Sequence, residues 1–341
     1  MAVITVIGCG MMGSSIAIPA SENGHEIRLA GSPLDDRIVE SVRTTGFHPT
    51  LKRQLPASFR PFFFSELDRA LRGTDIIVSG VSSFGVDWFL KDILPKIPDG
   101  LPILSITKGM IADPDGSLLS YPEYYRAHCP GRSLNISAVG GPCTSYELAD
   151  KDPTQVTFCG PDMETLVMLR GLFERPYYHV ALSTDVRSVE LAVALKNAYA
   201  LGTTLAVGMA EAKDGKLHYN SQAALFGQSI REMRKLLLLH GCSEDALYVG
   251  AGDLYVTIFG GRTRLIGTLL GKDVPYREAL ESLKGVTLES TVISERMAHS
   301  LEALSRAGRA DPADFPLLMH ISRIMHGEVP GSGIPWEAFR N

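Results

Sequence analysis

A short apolar run at the N-terminus ends in three closely spaced glycines. Residues 2–8 read AVITVIG, and Gly8, Gly10 and Gly13 follow the pattern G-x-G-x-x-G. Between a strand and a helix, this spacing allows a sharp turn, the approach of an anion to the backbone, and close packing of the helix on the strand. The pattern therefore predicts a strand–turn–helix unit and favours a bound dinucleotide. Glycines that serve only a tight turn are the alternative.

The predicted loop also bears on which dinucleotide binds. Amide groups at the positive end of the helix would meet its pyrophosphate, and the loop residues expected to face it are Gly8, Gly10, Met11, Met12 and Gly13. The second predicted strand, residues 25–31, ends without an acidic residue, and Gly31 and Ser32 leave room there for a 2′-phosphate. This favours NADP and leaves NAD open. Asp35 and Asp36 either reach the ribose or begin the next helix.

The alternation of apolar runs and helical stretches sets the fold class. Besides the first two, strands are predicted at 74–81, 101–107, 134–141 and 153–160. Near-continuous apolar strands between helices predict a parallel sheet covered on both faces, which is a doubly wound, Rossmann-like α/β domain. Later helices are predicted at 185–212, 220–241, 276–284, 289–307 and 312–326. We therefore expect a dinucleotide-binding domain over 1–182 and an all-helical substrate and catalytic domain over 183–341.

Composition excludes several classes of protein. The chain has 341 residues, 45% hydrophobic and 21% charged, which is enough for two globular domains. A net charge of −5 gives no basic face for nucleic acid. The five cysteines are scattered without a C-x-x-C pair, so neither a disulfide framework nor a metal site is expected. No stretch approaches the ~20 apolar residues of a membrane span, and no signal peptide is evident. We expect a cytoplasmic protein.

Two lysines lie next to or within apolar segments, where a charged residue is unexpected. Lys108 follows an apolar strand in SITKG, at the end of the sheet where such folds bind ligands. The alternative is a solvated surface lysine. Lys196 and Asn197 lie within the small, apolar residues of VELAVALKNAYALG. Lys196 either extends to the surface or is desolvated, with its pKa lowered toward a value useful for proton transfer. We favour the second interpretation.

A third polar group lies in GAGDLYVTIFGGRTR, residues 250–264. Asp253 and Thr257 are four residues apart and share one face if the segment is helical. Two glycines, residues 260–261, predict a flexible turn that presents Arg262, whose planar guanidinium would suit an anion such as phosphate. A helix end followed by a surface arginine is the alternative.

These features together indicate hydride exchange between a nicotinamide cofactor and a carbonyl compound with an anionic group. A lysine would donate a proton to the carbonyl oxygen, and positive charge would stabilise the developing alkoxide. The histidines mostly flank turns or lie on helix surfaces, so we interpret them as structural or solvated.

The assembled motifs resemble the NAD(P)-dependent glycerol-3-phosphate dehydrogenase family over nearly the whole chain. They come in the family's order: GCGMMGSS, SITKG, GGPCTSYELADKDPTQV, VELAVALKNAYALG, NSQAALFGQSIREM, GAGDLYVTIFGGRTR and TLESTVISERM. The archaeal-type branch is the most similar, because its GGR is followed shortly by letters like GTLLGKD. The resemblance implies interconversion of dihydroxyacetone phosphate and sn-glycerol 3-phosphate, with NAD or NADP as cofactor, by a homodimer.

The resemblance also implies roles for individual residues. Those implied to act on or bind the substrate are Lys108, Gly141, Lys196, Asn197, Asp253, Thr257, Arg262 and Thr263. Those implied to contact the cofactor, besides the glycine-rich loop and Ser32, are Phe84, Lys108, Ser145, Arg262 and Glu289. Lys196 is the implied proton-transferring residue, and Lys108 and Asp253 complete the implied catalytic set. Arg262 is implied to meet the substrate phosphate.

Three positions depart from the family's pattern. Cys143 replaces a serine, Thr263 replaces an asparagine after the arginine, and Ser290 replaces a glycine. The first two changes alter the surroundings of the substrate phosphate, so the sequence supports the reaction type more firmly than the substrate. A related reductase of another small phosphorylated or phosphonate keto compound is the alternative. A nucleotide sensor without catalysis is a further alternative, against which the retained lysines, aspartate and arginine argue.

Overall fold

The computed structural model describes residues 1–340 and divides them into two compact units. The first comprises residues 1–108 and 121–186, and the second comprises residues 109–120 and the chain from residue 187 on. The strands are β1 (Val3–Ile7), β2 (Glu26–Ala30), β3 (Phe47–His48), β4 (Arg53–Gln54), β5 (Phe59–Phe62), β6 (Ile76–Ser79), β7 (Ile103–Ser105), β8 (Met110–Ala112), β9 (Leu118–Ser120), β10 (Ile136–Gly140), β11 (Thr154–Cys159) and β12 (Tyr178–Ser183).

The helices alternate with these strands at first and then follow one another. They are α1 (Met11–Glu22), α2 (Asp36–Thr45), α3 (Leu67–Leu71), α4 (Val86–Trp88), α5 (Tyr121–His128), α6 (Ser145–Ala149), α7 (Met163–Phe173), α8 (Val186–Lys213), α9 (Tyr219–Leu239), α10 (Leu247–Ile258), α11 (Gly261–Gly271), α12 (Tyr276–Ser282), α13 (Glu289–Arg306) and α14 (Pro316–Met325). Helix α4 continues as a π-helical turn over Phe89–Ile93.

The first unit is built on a sheet whose strand order is β12-β11-β10-β7-β6-β1-β2-β5. Strand β1 pairs in parallel with β2 on one side and β6 on the other, with Ile4 opposite Ile27 and Ile76. These apolar side chains are buried because helices cover the sheet, which stabilises strands rich in β-branched residues. From β1 the chain first adds β2 and β5 on one side and then crosses over to add β6 and β7 on the other side. The strand order therefore reverses at β1. The predicted doubly wound α/β fold is confirmed.

One end of the sheet departs from a purely parallel arrangement. The predicted late strand is β11, and it pairs antiparallel with β10, placing Ala138 opposite Cys159. Strand β12 then pairs in parallel with β11. Strand β12 was not predicted, because its sequence YHVALS contains no continuous apolar run like those of the other strands. Strand β5 was also not predicted, because its FRPF sequence carries an arginine and a proline.

The second unit is organised around α8, a helix of 28 residues that is buried along most of its length. Within residues 1–340, α8 is the helix long and apolar enough to cross a membrane, with a mean hydropathy of 1.2 over its 18-residue window. This differs from the sequence expectation that no stretch would approach that composition. Because 94% of the window is buried inside the protein, α8 is a core helix.

Glycines bring α8 and α11 into backbone contact. A Cβ added to Gly208 would lie 2.1 Å from the carbonyl oxygen of Thr268, and one added to Gly271 would lie 2.0 Å from that of Leu205. A Cβ on Gly267 would lie 1.9 Å from the Thr204 hydroxyl. No side chain larger than hydrogen fits at these positions, so the spacing of the two helices is fixed by their backbones.

The second unit also contains a hairpin that the sequence analysis missed. Strands β8 and β9 pair antiparallel, and the Arg296 guanidinium donates to the Met110 carbonyl oxygen at 2.6 Å while the Ser300 hydroxyl donates to Gly116. The predicted ranges, 1–182 and 183–341, therefore differ from the two units by this hairpin and a few residues at the junction. Three-residue strands are too short to give a periodic signal, although DPDG marks the turn.

His240 directly follows the last residue of α9 and gives the second unit a pH-dependent stability. Burial, aided by Arg187 and Arg309, lowers the pKa of His240 to about 4. The unfolded chain binds this proton near pH 6.5, so between pH 6.5 and 4 it binds more protons than the folded chain, and stability falls with acidification. We expect a loss of up to about 3 kcal/mol that His240→Gln removes. Denaturant unfolding of both proteins at pH 7 and 4.5 measures it, and parallel pH profiles would contradict the assignment.

Candidate active site

The glycine-rich loop lies at the carboxyl end of β1 and shows why glycine stands at each position. Gly8 has a φ of +100° and its N–H donates to the Ala30 carbonyl oxygen at 2.8 Å. A Cβ on Gly13 would lie 2.4 Å from the Gly8 carbonyl oxygen, so α1 rests directly on the loop. A Cβ on Gly10 would meet nothing within 4 Å, because the loop is open on that side. The open side is the space through which an anion can approach the backbone.

The N-terminus of α1 supplies the chemistry that such an anion needs. No side chain caps this helix, and no acidic residue lies in its first turn. The first-turn amides of Met11, Met12 and Gly13 have no partner within the helix, because they precede the first i→i−4 hydrogen bonds. Together with the open face at Gly10, these amides fit the pyrophosphate of a nicotinamide dinucleotide.

Substituting Gly13 tests this loop. Gly13→Ala places a methyl group against the Gly8 carbonyl oxygen, so α1 must move away from β1. We expect the Kd for NADH and NADPH to rise at least about tenfold, since the first-turn amides move with the helix. Gly24→Ala is the control for a glycine that meets nothing nearby, although its φ of +81° adds some strain. Titration of nicotinamide fluorescence measures both variants, and wild-type affinity in Gly13→Ala would refute the role of the loop.

Other predicted residues of the first unit lie at the same edge of the sheet. The Lys108 ammonium, which follows β7, donates to the carbonyl oxygen of Gly141, which follows β10, at 2.8 Å. Phe84 follows β6 and is 61% exposed. The Ser15 hydroxyl of α1 donates to the Ser145 carbonyl oxygen at 2.8 Å and holds that loop against the helix. The sheet thus gathers predicted cofactor residues at its carboxyl edge, where open α/β sheets bind ligands.

The Asp35 carboxylate makes hydrogen bonds that the sequence did not predict. It directly precedes α2, as one of the two expectations had it, but its side chain does not cap that helix. Its Oδ2 accepts hydrogen bonds from the Ser32 N–H at 2.8 Å, the Ser32 hydroxyl at 2.7 Å and the Cys9 N–H at 3.1 Å. A carboxylate therefore connects the end of β2 to the glycine-rich loop.

The second unit brings Lys196, Asp253 and Thr257 together. The Lys196 ammonium lies 3.1 Å from Asp253 Oδ1 and donates to the Thr257 hydroxyl at 3.0 Å. Thr257 donates its own proton to the Asp253 carbonyl oxygen one turn earlier in α10, at 2.7 Å, and so serves the lysine only as an acceptor. Because α10 is helical here, Asp253 and Thr257 share one face, as the spacing predicts.

This cluster is largely shielded from water. The side chain of Lys196 is 13% exposed and that of Asp253 is 2% exposed. A buried carboxylate offsets the ammonium charge, which explains how a lysine fits within the apolar α8. The contacts to Asp253 and Thr257 fix the position and orientation of the ammonium. Such a group can hold and deliver one proton in a fixed direction.

Asn197 follows Lys196 in α8 and has unused hydrogen-bonding capacity. Its side chain is 5% exposed, and its amide Nδ2 has no hydrogen-bond partner in the part of the chain that the structure describes. Leaving a buried donor unpaired is unfavourable by about 1–3 kcal/mol, a typical cost that a bound acceptor removes. The amide is therefore suited to an oxygen atom of a substrate.

Arg262 lies in the first turn of α11 and not in a flexible turn, as the glycines had suggested. Gly261 has a φ of +77° and begins the helix, and no side chain caps it. The Arg262 guanidinium is half exposed and lies 3.9 Å from the Glu289 carboxylate. An uncapped helix N-terminus that carries an arginine is suited to bind a phosphate.

The departures from the family's pattern differ in their surroundings. Thr263 is buried in the first turn of α11, and Ser290 is buried at the start of α13. The Ser290 hydroxyl makes no hydrogen bond within residues 1–340. Cys143 is half-buried and packs against the core of the first unit.

The first unit is doubly wound and has a glycine-rich loop before an uncapped helix, and the second is helical and has a buried lysine–aspartate pair. This combination is typical of an NAD(P)-dependent dehydrogenase. Family models agree with this class over most of the chain. Residues 3–166 match the N-terminal domain of NAD-dependent glycerol-3-phosphate dehydrogenase, and residues 185–334 match its C-terminal domain. The chain belongs to this family of oxidoreductases, which act on a CH–OH group.

Individual relatives agree with that assignment. The chain is 31% identical over 329 residues to the NADP(+)-dependent glycerol-3-phosphate dehydrogenase of Archaeoglobus fulgidus, covering 95% of each chain. It is 28% identical to the glycerol-3-phosphate dehydrogenase [NAD(P)+] of Koribacter versatilis, covering 98% of this chain and 96% of that one. The crystal structure of glycerol-3-phosphate dehydrogenase from Coxiella burnetii has a TM-score of 0.82 at 23% identity, covering 100% of this chain and 99% of that chain, which shows a shared fold.

Proposed function

We propose that this protein interconverts dihydroxyacetone phosphate and sn-glycerol 3-phosphate with NAD or NADP as cofactor. The observation that carries the proposal is the Lys196 ammonium held 3.1 Å from the buried Asp253 carboxylate. Family membership supplies the reaction class, and the relatives' substrate is the one their names give.

Lys196 acts as the proton donor in ketone reduction and as the proton acceptor in the reverse direction. The nicotinamide ring supplies or receives the hydride when the dinucleotide is bound. Asp253 and Thr257 position the ammonium so that it can donate a proton to the carbonyl oxygen, and the positive charge stabilises the alkoxide that develops there. The Asn197 amide donates to a substrate oxygen and so pairs its buried donor.

The phosphate of the substrate binds at the N-terminus of α11. Arg262 supplies a planar pair of N–H donors and the helix supplies backbone amides, a combination that suits a dianion. Lys108 and Gly141 contact the substrate, and Ser145, Phe84 and Glu289 contact the cofactor, as the family resemblance implies. Thr263 offers one hydroxyl to the phosphate where the family's asparagine offers an amide.

Two observations bear on the choice of cofactor. The absence of an acidic residue at Gly31 and Ser32 favours NADP. The Asp35 carboxylate bonded to Ser32 opposes a second negative charge there. NADP stays the prediction, and both cofactors have to be compared. The family resemblance supports a homodimer. The scattered cysteines favour a cytoplasmic protein, and the net charge of −5 favours a small-molecule partner over nucleic acid.

Initial rates with NADH and NADPH on dihydroxyacetone phosphate test the function. We expect saturable turnover with at least one cofactor and production of glycerol 3-phosphate. Tight cofactor binding without turnover would refute the substrate assignment. The altered residues Cys143 and Thr263 favour one further candidate, a reductase of another small phosphorylated or phosphonate ketone. The same assay with a panel of such ketones distinguishes it by a higher kcat/KM.

A further inference from the structure

The backbone of Cys9, inside the glycine-rich loop, is held on both sides by side chains from other parts of the first unit. Its N–H donates to Asp35 Oδ2 at 3.1 Å, and its carbonyl oxygen lies 2.8 Å from His48 Nε2. The Ser14 hydroxyl also approaches this oxygen, at 3.4 Å. Both polar groups of one loop residue are thus paired outside the loop.

The hydrogen bonds of His48 fix its proton. Its Nδ1 accepts from the Leu51 N–H at 3.0 Å, so the ring proton resides on Nε2 and is donated to Cys9. The ring is buried, and burial lowers its pKa, which keeps the imidazole neutral. The short β3–β4 hairpin, in which His48 pairs with Arg53, holds the backbone of the histidine.

The position of Cys9 explains why these hydrogen bonds matter for cofactor binding. Cys9 lies between Gly8 and Gly10, whose backbones must keep the shape that presents the first amides of α1. Glycines give the loop this shape but also make it flexible. The hydrogen bonds of Cys9 to Asp35 and His48 reduce the conformational freedom of the loop. Cofactor binding would otherwise have to remove that freedom.

We propose that His48 and Asp35 are positioning residues for the dinucleotide, which hold the Cys9 peptide so that the loop is preorganised. This inference rests on the proposed function, because it requires that the loop binds NAD or NADP. Neither residue needs to touch the cofactor in this role. His48 is one of the histidines that the sequence analysis interpreted as structural or solvated, and it is given a specific task here.

Two substitutions separate the two hydrogen bonds of His48. Glutamine presents an N–H near the position of Nε2 and keeps the bond to Cys9. Asparagine presents an oxygen near the position of Nδ1, keeps the bond to Leu51, and cannot reach Cys9. We expect His48→Asn to raise the Kd and the KM for NADH and NADPH about five- to tenfold, with kcat at saturating cofactor within about twofold of wild type. His48→Gln should stay near wild type.

The controls separate positioning from general stability. His179→Asn changes an exposed histidine of β12 and should alter nothing. Thermal unfolding of each variant reports whether the fold persists. If His48→Asn fails to fold, Asp35→Ala removes the bond to Cys9 from the opposite side and should raise the Kd for NADH, which lacks the 2′-phosphate that this carboxylate opposes. Asp35→Asn keeps an acceptor and should raise that constant less.

Each outcome bears on the proposal. Unchanged NADH affinity in His48→Asn and Asp35→Ala would overturn it, and so would a His48→Gln variant that binds as weakly as His48→Asn. If wild-type protein binds neither NADH nor NADPH, the proposed function fails and takes the inference with it. If wild type binds and the variants bind equally well, the inference alone fails.

Discussion

Lys196→Ala is expected to lower kcat by about 100-fold or more, the usual effect of removing a general acid. The affinity for NADH and NADPH should change little, because the glycine-rich loop belongs to the other unit. The substitution also leaves the 2%-exposed Asp253 carboxylate without its cation, so some loss of thermal stability is expected too. Single-turnover rates at saturating cofactor measure the chemical step.

Two further variants separate chemistry from folding. Lys196→Met keeps the apolar stem in α8 and should lose the same activity with a smaller packing defect. Lys213→Ala removes an exposed lysine from the end of the same helix and should have near wild-type kinetics. Turnover near wild type in either Lys196 variant would show that another group transfers the proton.

Arg262→Ala is expected to raise the KM for dihydroxyacetone phosphate about 10- to 100-fold, the range for losing charge-assisted hydrogen bonds to a phosphate. Arg262→Lys keeps the charge but not the paired N–H donors, so its KM should lie between those of wild type and the alanine variant. Steady-state kinetics at saturating cofactor measure all three proteins.

The control for this prediction is Arg277→Ala, which removes an exposed arginine from α12 of the same unit. It should leave the KM unchanged. If Arg262→Ala also left the KM unchanged, the substrate would lack a phosphate at this helix, and the phosphorylated-ketone reaction would be excluded for this site.

The fold was largely predictable because its signals are local. Strand β1 and helix α1 are defined by an apolar run, three glycines and a helical stretch, all within 22 residues. The α8 and α9 helices were likewise predicted, over 185–212 and 220–241, from apolar positions at helical spacing over many turns. Strand β5, the edge strand β12 and the β8–β9 hairpin escaped prediction, since their stability comes from pairing with distant segments and not from their own composition.

The residues of the candidate site also differ in how well the sequence predicted them. Lys196, Asp253 and Thr257 stood out because charged residues in apolar helices need partners, and their spacing placed two of them on one face. The Cys9 anchors gave no such signal. His48 lies 39 residues from Cys9, and the hydrogen bond between them depends on how the chain returns after α2. Asp35 looked like a helix-starting acid, and only the structure shows that its carboxylate turns back to the loop.

The glycine contacts that join α8 to α11 carry a consequence for selectivity. Lys196 lies on α8 and Arg262 on α11, and the backbone contacts at Gly208, Gly267 and Gly271 hold these two helices at a fixed separation. In the proposed reaction, this separation limits how far apart the carbonyl group and the phosphate group of the substrate can lie. We therefore expect a homologous ketone one carbon longer to fit this separation less well and to show a lower kcat/KM.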